Sequence, residues 1–172
     1  MKKQLKIVHY YEGRCNPQGA GGVDLTVGGL CGEQGKRGHD VLVICTSPKE
    51  PFPIDGATVE NFSPGRTRFG VSKDLLERLE KFGPDLIHFH SNYIPRCSVI
   101  ARWARKHKIR YVVTPNGNCS TRLLRDEWWI KRPYRLLVEL PYLNRAAFVH
   151  SVGDGDEIRR YGVTVPMVET LN

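Results

Sequence analysis

The chain has 172 residues, of which 40% are hydrophobic, and its formal net charge is +8 at pH 7. This length accommodates one domain with a substantial core, and the composition excludes a disordered or fibrous protein. No apolar run approaches the roughly 20 residues of a membrane-spanning helix, and Met1 leads into an amphipathic strand rather than a signal peptide. We therefore expect a cytoplasmic protein.

The sequence predicts an α/β fold from the alternation of short β-branched runs with amphipathic helical windows. Seven strands are predicted, at residues 5–10, 40–46, 57–62, 86–89, 111–114, 147–151 and 167–171. The predicted architecture is a Rossmann-like, doubly wound and mainly parallel sheet of about seven strands. No repeat or linker divides residues 1–172, so we expect one compact domain.

The first two predicted helices carry clear local signals. Between the first two strands, apolar residues recur at helical spacing, and Gly38 is placed to end the helix. Ser72 is placed to cap the next helix, on which Asp74 and Arg78 are spaced to form an i,i+4 ion pair. These signals predict two surface helices, each with one buried face.

A longer helix is predicted over residues 133–144, in a segment that contains two prolines. Proline is tolerated in the first turn of a helix, which suits Pro133. Pro141 is expected to kink the helix or to end it early, because proline removes a backbone donor.

A glycine-rich turn, which includes Gly21 and Gly22, follows the first predicted strand and precedes the first helix. Backbone amides and a helix N-terminus at this place can hold an anion, although a tight βα turn explains the glycines equally well. The sequence has neither the G-x-G-x-x-G fingerprint with its acidic partner nor the GxxxxGK[ST] loop. A nicotinamide, flavin or P-loop nucleotide site is therefore not expected.

Polar side chains follow the fourth and fifth predicted strands. His88 and His90 alternate on the fourth strand, and His88 is expected to be a hydrogen-bonded core residue. His90, at the carboxyl end where open α/β sheets bind ligands, is a candidate for binding. The loops after strands one, four and five should line one crevice, in which the candidate binding residues are His90, Ser91, Asn92, Asn116 and Asn118.

The five cysteines are an odd number at wide spacings, and none forms a CxxC pair. Zinc sites and disulfide frameworks have characteristic cysteine spacings that this chain lacks. We therefore expect reduced thiols and no metal site. The cysteines are Cys15, Cys31, Cys45, Cys97 and Cys119.

The excess of positive charge is concentrated in one part of the chain. Residues 96–135 contain eleven Lys or Arg against only Asp126 and Glu127. A basic surface of this kind suits a nucleotide, an anionic lipid or an acidic glycan. Nucleic acid is not expected as a partner, because the basic residues alternate with core positions and no recognition motif is present.

The order and spacing of several motifs resemble the N-terminal domain of the GT-B glycosyltransferases of the family-four type. The resemblance covers nearly the whole chain. The segments that carry it are Lys6-Ile7-Val8-His9, Gly21-Gly22-Val23, Lys36-Arg37-Gly38-His39-Asp40-Val41, residues 84–90, Val112-Val113-Thr114-Pro115-Asn116-Gly117, Leu143-Asn144-Arg145-Ala146-Ala147 and residues 152–162.

The resemblance implies that residues 1–172 are the acceptor-binding half of a two-domain hexosyltransferase, whose C-terminal donor-binding domain is absent from this chain. It implies transfer of a sugar from a nucleotide-diphosphate donor to an acceptor hydroxyl, with retention and without an essential metal. The nucleotide-sugar is a substrate, so no cofactor is expected. The chain alone is expected to be inactive.

The resemblance also implies roles for the candidate residues. The amides of Gly21 and Gly22 would stabilise the departing diphosphate, and the polar residues after strands four and five would face a sugar or lipid-linked acceptor. Many family members have His where Asn116 stands, so no residue of this chain is assigned a catalytic role.

Two alternatives stay open. The chain is either this transferase half or a stand-alone α/β module that binds phosphorylated or anionic ligands without catalysis. Residues 122–135 interleave tryptophans and leucines with five basic residues, a mixture that suits peripheral contact with an anionic membrane. Packing of these tryptophans into the core or against the absent domain is the competing interpretation.

Overall fold

The computed structural model describes residues 3–18, 22–117, 119 and 128–170. Within these residues seven strands form one sheet, in the order β3-β2-β1-β4-β5-β6-β7. The strands are β1 (Lys6–Tyr11), β2 (Asp40–Cys45), β3 (Thr58–Asn61), β4 (Leu86–His90), β5 (Arg110–Thr114), β6 (Phe148–Ser151) and β7 (Met167–Glu169). All seven predicted strands are confirmed, and so is the Rossmann-like α/β fold class.

The chain divides into two compact units, residues 1–90 and residues 91–172. The first unit contains β1 to β4 with helices α1 (Gly22–Lys36) and α2 (Lys73–Phe82). The second contains β5 to β7 with α3 (Pro95–Lys106), α4 (Trp128–Tyr134), a π-helical segment (Arg135–Glu139), α5 (Leu140–Leu143) and α6 (Gly155–Tyr161).

In the first unit, β1 pairs in parallel with β2 on one side and with β4 on the other. The middle residues of β1, β2 and β4 are buried, because strands of a parallel sheet are covered on both faces. The register places His9 opposite His88. This pairing brings two polar side chains into the interior of the unit.

Both helix ends predicted in the first unit are confirmed. Gly38 has φ +85°, and its amide donates to the carbonyl of Gly35 just beyond the end of α1. The hydroxyl of Ser72 accepts a hydrogen bond from the amide of Leu75 at the start of α2. Glycine suits position 38 because other residues adopt positive φ only at a cost in free energy.

The ion pair predicted between Asp74 and Arg78 is wrong. The guanidinium of Arg78 instead forms a bidentate pair with Glu60 of β3, with nitrogen–oxygen distances of 2.7 to 2.9 Å. A planar guanidinium matches a carboxylate in this geometry, which an i,i+4 pair on one helix seldom achieves. The pair therefore ties α2 to the strand at the edge of the sheet.

The predicted helix over residues 133–144 begins earlier and changes its hydrogen-bond pattern. Pro133 lies inside α4 rather than in a first turn, and residues 135–139 are π-helical. The amide of Leu140 accordingly donates to the carbonyl of Arg135, five residues back. Pro141 then lies in the first turn of α5, where its missing amide hydrogen costs little.

Candidate functional site

The carboxyl ends of β1 and β4 mark the place in the first unit where an open α/β sheet binds ligands. These strands are neighbours, yet the chain leaves β1 towards β2 and β4 lies on the opposite side of β1. Ligand sites of such sheets lie outside the carboxyl ends of the strands at this change of direction. Tyr11 and His90 are the last residues of the two strands.

Helix α1 begins close in sequence to this strand end, at Gly22, which is exposed. An added Cβ at Gly22 would meet no heavy atom within 4 Å, so the residue is open to an approaching ligand. The N-terminal amides of a helix attract anions. Asp24 in the first turn accepts a hydrogen bond from the amide of Asn16 and thereby ties the preceding loop to the helix. Gly21 lies outside the described residues.

A chain of hydrogen bonds joins His9 to Gln34 and His90 in the interior of the first unit. His9 Nε2 lies 2.7 Å from Gln34 Oε1, and His9 Nδ1 lies 2.9 Å from His90 Nε2. An amide oxygen only accepts, so His9 carries its proton on Nε2 and accepts at Nδ1 from His90. The two bonds fix one tautomer for His9 and place the donating hydrogen of His90 on Nε2.

Both histidines of β4, His88 and His90, are buried. The sequence predicts burial for His88 but not for His90. The rings of His88 and His90 stack with centroids 4.2 Å apart, and the His9 ring lies 5.2 Å from that of His90. Burial lowers the pKa of His9 to about 4, and the Gln34 hydrogen bond only partly opposes this shift. His9 is therefore neutral at pH 7.

The three histidines offer ring nitrogens within 4.8 Å of one another, which raises the question of a metal. Tetrahedral zinc, with zinc–nitrogen bonds of about 2.0–2.1 Å, needs nitrogens roughly 3.4 Å apart. The 2.9 Å separation of His9 Nδ1 and His90 Nε2 has the length of a hydrogen bond instead. The arrangement is that of hydrogen-bonded imidazoles, and a metal would have to break this bond.

In the second unit, a turn with two left-handed residues follows β4. Ser91 has φ +74° and Tyr93 has φ +59°. The amide of Ser91 donates to the carbonyl of Thr114 at 2.8 Å, and Asn92, which is buried, donates from Nδ2 to the sulfur of Cys119 at 3.3 Å. The turn is thus strained in its backbone and held by polar contacts.

Glu139, the last residue of the π-helical segment, holds this turn from the other side. Its Oε1 accepts the amide hydrogen of Tyr93 at 3.0 Å, and the side chain is only 1% exposed. Burial raises the pKa of Glu139 to about 7, while the hydrogen bond from Tyr93 favours the ionised form and limits the shift. Single-turn π segments occur frequently at functional sites.

Asn116 lies just beyond β5 in a left-handed conformation, with φ +54°. Its Nδ2 is buried and has no hydrogen-bond partner among the residues that the structure describes. The next amide, of Gly117, donates to Asp154 Oδ2 at 3.1 Å, which fixes the loop. An unpaired buried donor is costly, and a ligand oxygen would satisfy it. Asn118 lies outside the described residues.

Apolar side chains on α4 and the π-helical segment are exposed in the second unit. Trp129 is 62% exposed and Leu137 is 77% exposed, and Leu136, Pro133 and Arg132 line the same shallow depression. The interpretation that the tryptophans pack into the core is therefore wrong for Trp129. No helix among the described residues is long and apolar enough to cross a bilayer.

The sequence predictions missed four polar residues of these sites, namely His9, Gln34, Glu139 and Asp154. His9 and Gln34 are 25 residues apart, and His9 and His90 are 81 apart. A polar residue inside an apolar strand, such as His9, is a signal that could have been used. Glu139 within an otherwise apolar run of residues is a signal of the same kind.

A family model described as "Glycosyltransferase Family 4" matches residues 20–167. The fold is similar to sucrose-phosphate synthase from Thermosynechococcus elongatus, with a TM-score of 0.70 and 17% identity over 96% of this chain and 47% of that chain. It is also similar to HepE from Anabaena, solved in complex with UDP and glucose, with a TM-score of 0.64 and 17% identity over 98% of this chain and 44% of that chain.

A search of curated protein sequences finds no match to this chain. The chain spans less than half of the length of either solved structure. At 17% identity, both similarities are evidence for the fold alone.

Proposed function

Because the chain belongs to glycosyltransferase family 4, we propose that it forms the acceptor-binding domain of an enzyme that transfers a sugar from a nucleotide-diphosphate donor to an acceptor hydroxyl. The observation that carries the proposal is the family match over residues 20–167. The alternative of a non-catalytic anion-binding module is not favoured, because it accounts for the basic surface but not for this match.

The proposed reaction leaves a diphosphate that gains negative charge as the sugar departs. Backbone amides at the start of α1, from Gly21 and Gly22, are assigned to stabilise this charge. Two features of the described residues support this role: Gly22 is exposed, and the space around it is open. Amides held by a helix need no reorganisation when the charge develops, which favours the transition state.

The acceptor is assigned to the polar residues that follow β4 and β5, with Asn116 as its principal contact. Asn116 Nδ2 is a buried donor without a partner among the described residues, so an acceptor hydroxyl or ring oxygen can occupy it. His90 and Asn92 are buried and hydrogen-bonded, which suits them to position the strand end and the turn. Ser91 and Asn118 complete the proposed acceptor set.

A second domain is proposed to hold the nucleotide-sugar, since the chain spans less than half of each similar structure. HepE is solved in complex with UDP and glucose, and on this basis we propose a hexose on a nucleoside diphosphate as the donor class. We propose retention at the anomeric carbon, no cofactor, and a cytoplasmic or membrane-associated enzyme whose acceptor is a sugar or a lipid-linked sugar. No catalytic residue of this chain is assigned.

The experiment that tests this proposal is a transfer assay on the enzyme that carries both domains. A panel of labelled nucleotide-sugars is incubated with sugar and lipid-linked acceptors, and Asn116→Ala is compared with wild type. We expect transfer by wild type and an increase in the acceptor KM of roughly tenfold for the variant, the loss of one hydrogen bond to a buried group. Absence of transfer with every donor would refute the proposed activity.

A further inference from the structure

Two buried cysteine side chains lie next to each other in the first unit. Cys15 lies in the loop after β1, Cys45 is the last residue of β2, and their sulfur atoms are 3.9 Å apart. Both residues are buried, and both belong to one hydrophobic cluster with Val27, Val41 and Val43. The sulfurs therefore face each other across a packed interior, 30 residues apart in sequence.

Contacts on both sides of Cys15 hold the loop in place. The carbonyl of Arg14 accepts from the amide of Phe52 at 2.7 Å, and Arg14 Nε donates to the carbonyl of Glu50 at 3.1 Å. On the other side, the amide of Asn16 donates to Asp24 of α1. Cys15 itself has φ +54°, an uncommon conformation for a residue other than glycine. Hydrogen bonds of the residues on both sides of Cys15 thus hold the backbone that directs its sulfur at Cys45.

We propose that Cys15 and Cys45 form a reversible intramolecular disulfide and that this pair is a redox modification site of the protein. A disulfide has a sulfur–sulfur bond of about 2.05 Å, so the sulfurs must approach by roughly 1.9 Å from their present separation of 3.9 Å. The inference does not depend on the proposed transferase activity.

The chemistry is thiol–disulfide exchange with a low-molecular-weight disulfide such as oxidised glutathione. The Cys15 thiolate attacks one sulfur of glutathione disulfide, the bond between the glutathione sulfurs breaks, and one glutathione thiolate leaves. The thiol of Cys45 loses its proton and attacks the Cys15 sulfur, which expels the second glutathione thiolate. Two protein thiols are oxidised to one disulfide, and one glutathione disulfide is reduced to two glutathiones.

The environment assigns the attacking role to Cys15. Donation from the Cys45 S–H favours the Cys15 thiolate and lowers the pKa of Cys15, and the same bond together with burial raises the pKa of Cys45. Cys31 belongs to the same cluster but its pKa is raised by burial, which keeps it a thiol. The third cysteine of the cluster is therefore a matched control.

The disulfide would enclose all of α1 and β2 in one covalent loop. Closing a loop of about 30 residues restricts the unfolded chain and stabilises the fold, which corresponds to a rise in Tm of roughly 5–10 °C for a chain of this size. It would also fix the loop that leads to the N-terminus of α1. The stability change is measurable on the 172-residue chain without any substrate.

The test equilibrates the chain with mixtures of reduced and oxidised glutathione until the thiol content is constant, because the buried sulfurs react only when the loop opens. Thiols are then counted after acid quenching and unfolding. The reduced chain should show its five thiols, and the oxidised chain should show two fewer. Peptide mapping should recover Cys15 joined to Cys45, and dithiothreitol should reverse both changes.

Variants separate this pair from the other cysteines. Cys15→Ala and Cys45→Ala should keep all of their remaining thiols and should show no rise in Tm on oxidation. Cys31→Ala should still lose two thiols, and so should Cys97→Ala in the second unit. The proposal is overturned if wild type keeps every thiol, if mapping finds Cys31 in the bridge, or if glutathione stays attached instead of an internal disulfide. Mapping of wild type does not depend on the folding of any variant.

Discussion

Each of the two units of this chain buries a titratable side chain, and the pKa values of these two side chains shift in opposite directions. In the first unit, burial lowers the pKa of His9 to about 4. In the second unit, burial raises the pKa of Glu139 to about 7. The same physical cause, removal from water, favours the neutral form of both residues.

The difference between them lies in their partners. His9 forms hydrogen bonds with the amide of Gln34 and the ring of His90, and both of its ring nitrogens are satisfied. Glu139 accepts a hydrogen bond from the backbone amide of Tyr93 in a left-handed turn, and its pKa of about 7 lies within the physiological pH range. The first arrangement is a fixed structural element, whereas the second can change its charge at physiological pH.

The largest expected effect is on the free energy of unfolding, when the hydrogen bonds of His9 with Gln34 and His90 are removed. Replacing His9 by Ala leaves the donor of His90 and the amide oxygen of Gln34 without this partner and opens a cavity. We expect the free energy of unfolding to fall by about 3–4 kcal/mol, measured by urea denaturation at pH 7. His107→Ala, at an exposed position on the second unit, should cost less than about 1 kcal/mol. Equal losses for the two variants would show that the His9 hydrogen bonds contribute nothing.

The second-largest effect is the change of stability with pH that is caused by Glu139 in the second unit. The folded-state pKa of Glu139 is raised above its ordinary value of 4.5, so the folded state binds more protons between these values. Stability from this group is therefore complete below about pH 4.5 and is lost as pH rises through about 7, a loss of about 3 kcal/mol. Glu139→Gln, which stays neutral, should remove this loss in urea midpoints measured from about pH 5 to pH 8.

The opposite sign at His9 provides the control for this measurement. Its folded-state pKa lies below the unfolded value of 6.5, so stability from His9 is lost as pH falls from about 6.5 towards 4. The Glu139→Gln variant should still lose this stability as pH falls, because His9 is unchanged in it. If the variant lost as much stability as wild type when pH rises through about 7, the assignment of that loss to Glu139 would be wrong.

Sequence patterns predicted the parts of this fold that depend on near neighbours. All seven strands followed from β-branched runs, and the cap at Ser72 and the stop at Gly38 depend on residues only a few positions away. The patterns failed where a partner comes from another element. Arg78 pairs with Glu60 rather than Asp74, because the fold offers a bidentate geometry that the helix does not.

The site was predictable to a smaller extent for the same reason. The strand ends and the start of α1 follow from topology, and these were placed correctly in sequence. The bonds from His9 to His90 and between the sulfurs of Cys15 and Cys45 join residues 81 and 30 positions apart. No local spacing encodes such pairs, so only the folded structure reveals them.

An intermediate effect is expected on transfer when the open end of α1 is blocked. Gly22→Val in the two-domain enzyme should lower kcat at least tenfold, about 1.4 kcal/mol, because the side chain keeps a phosphate away from the amides. Its Tm should change little, since an added Cβ meets nothing within 4 Å. Gly29→Val, also open but further along α1, is the matched control and should leave kcat unchanged. A large fall in Tm for Gly22→Val would make this glycine structural.

The smallest effect is expected at the exposed apolar face of the second unit. We expect the chain to bind anionic vesicles at low ionic strength through Trp129, Leu137 and the neighbouring basic residues, and to release them as salt rises. Leu137→Glu should weaken sedimentation with vesicles several-fold, about 1 kcal/mol. Leu25→Glu, at an exposed leucine of the first unit, should have no effect. Equally poor binding of wild type to anionic and neutral vesicles would reassign this face to an acidic soluble acceptor or to a second domain.

The central claim is that this chain supplies the acceptor side of a family 4 glycosyltransferase and that a second domain supplies the donor site. Isothermal calorimetry of the 172-residue chain with UDP-glucose and other nucleotide-sugars tests the claim most directly, with the two-domain enzyme measured in parallel. We predict no measurable binding by the chain and micromolar to millimolar binding by the two-domain enzyme, the range of typical substrate affinities. Tight binding or turnover of a nucleotide-sugar by the chain alone would contradict the claim and would place a donor site among residues 1–172.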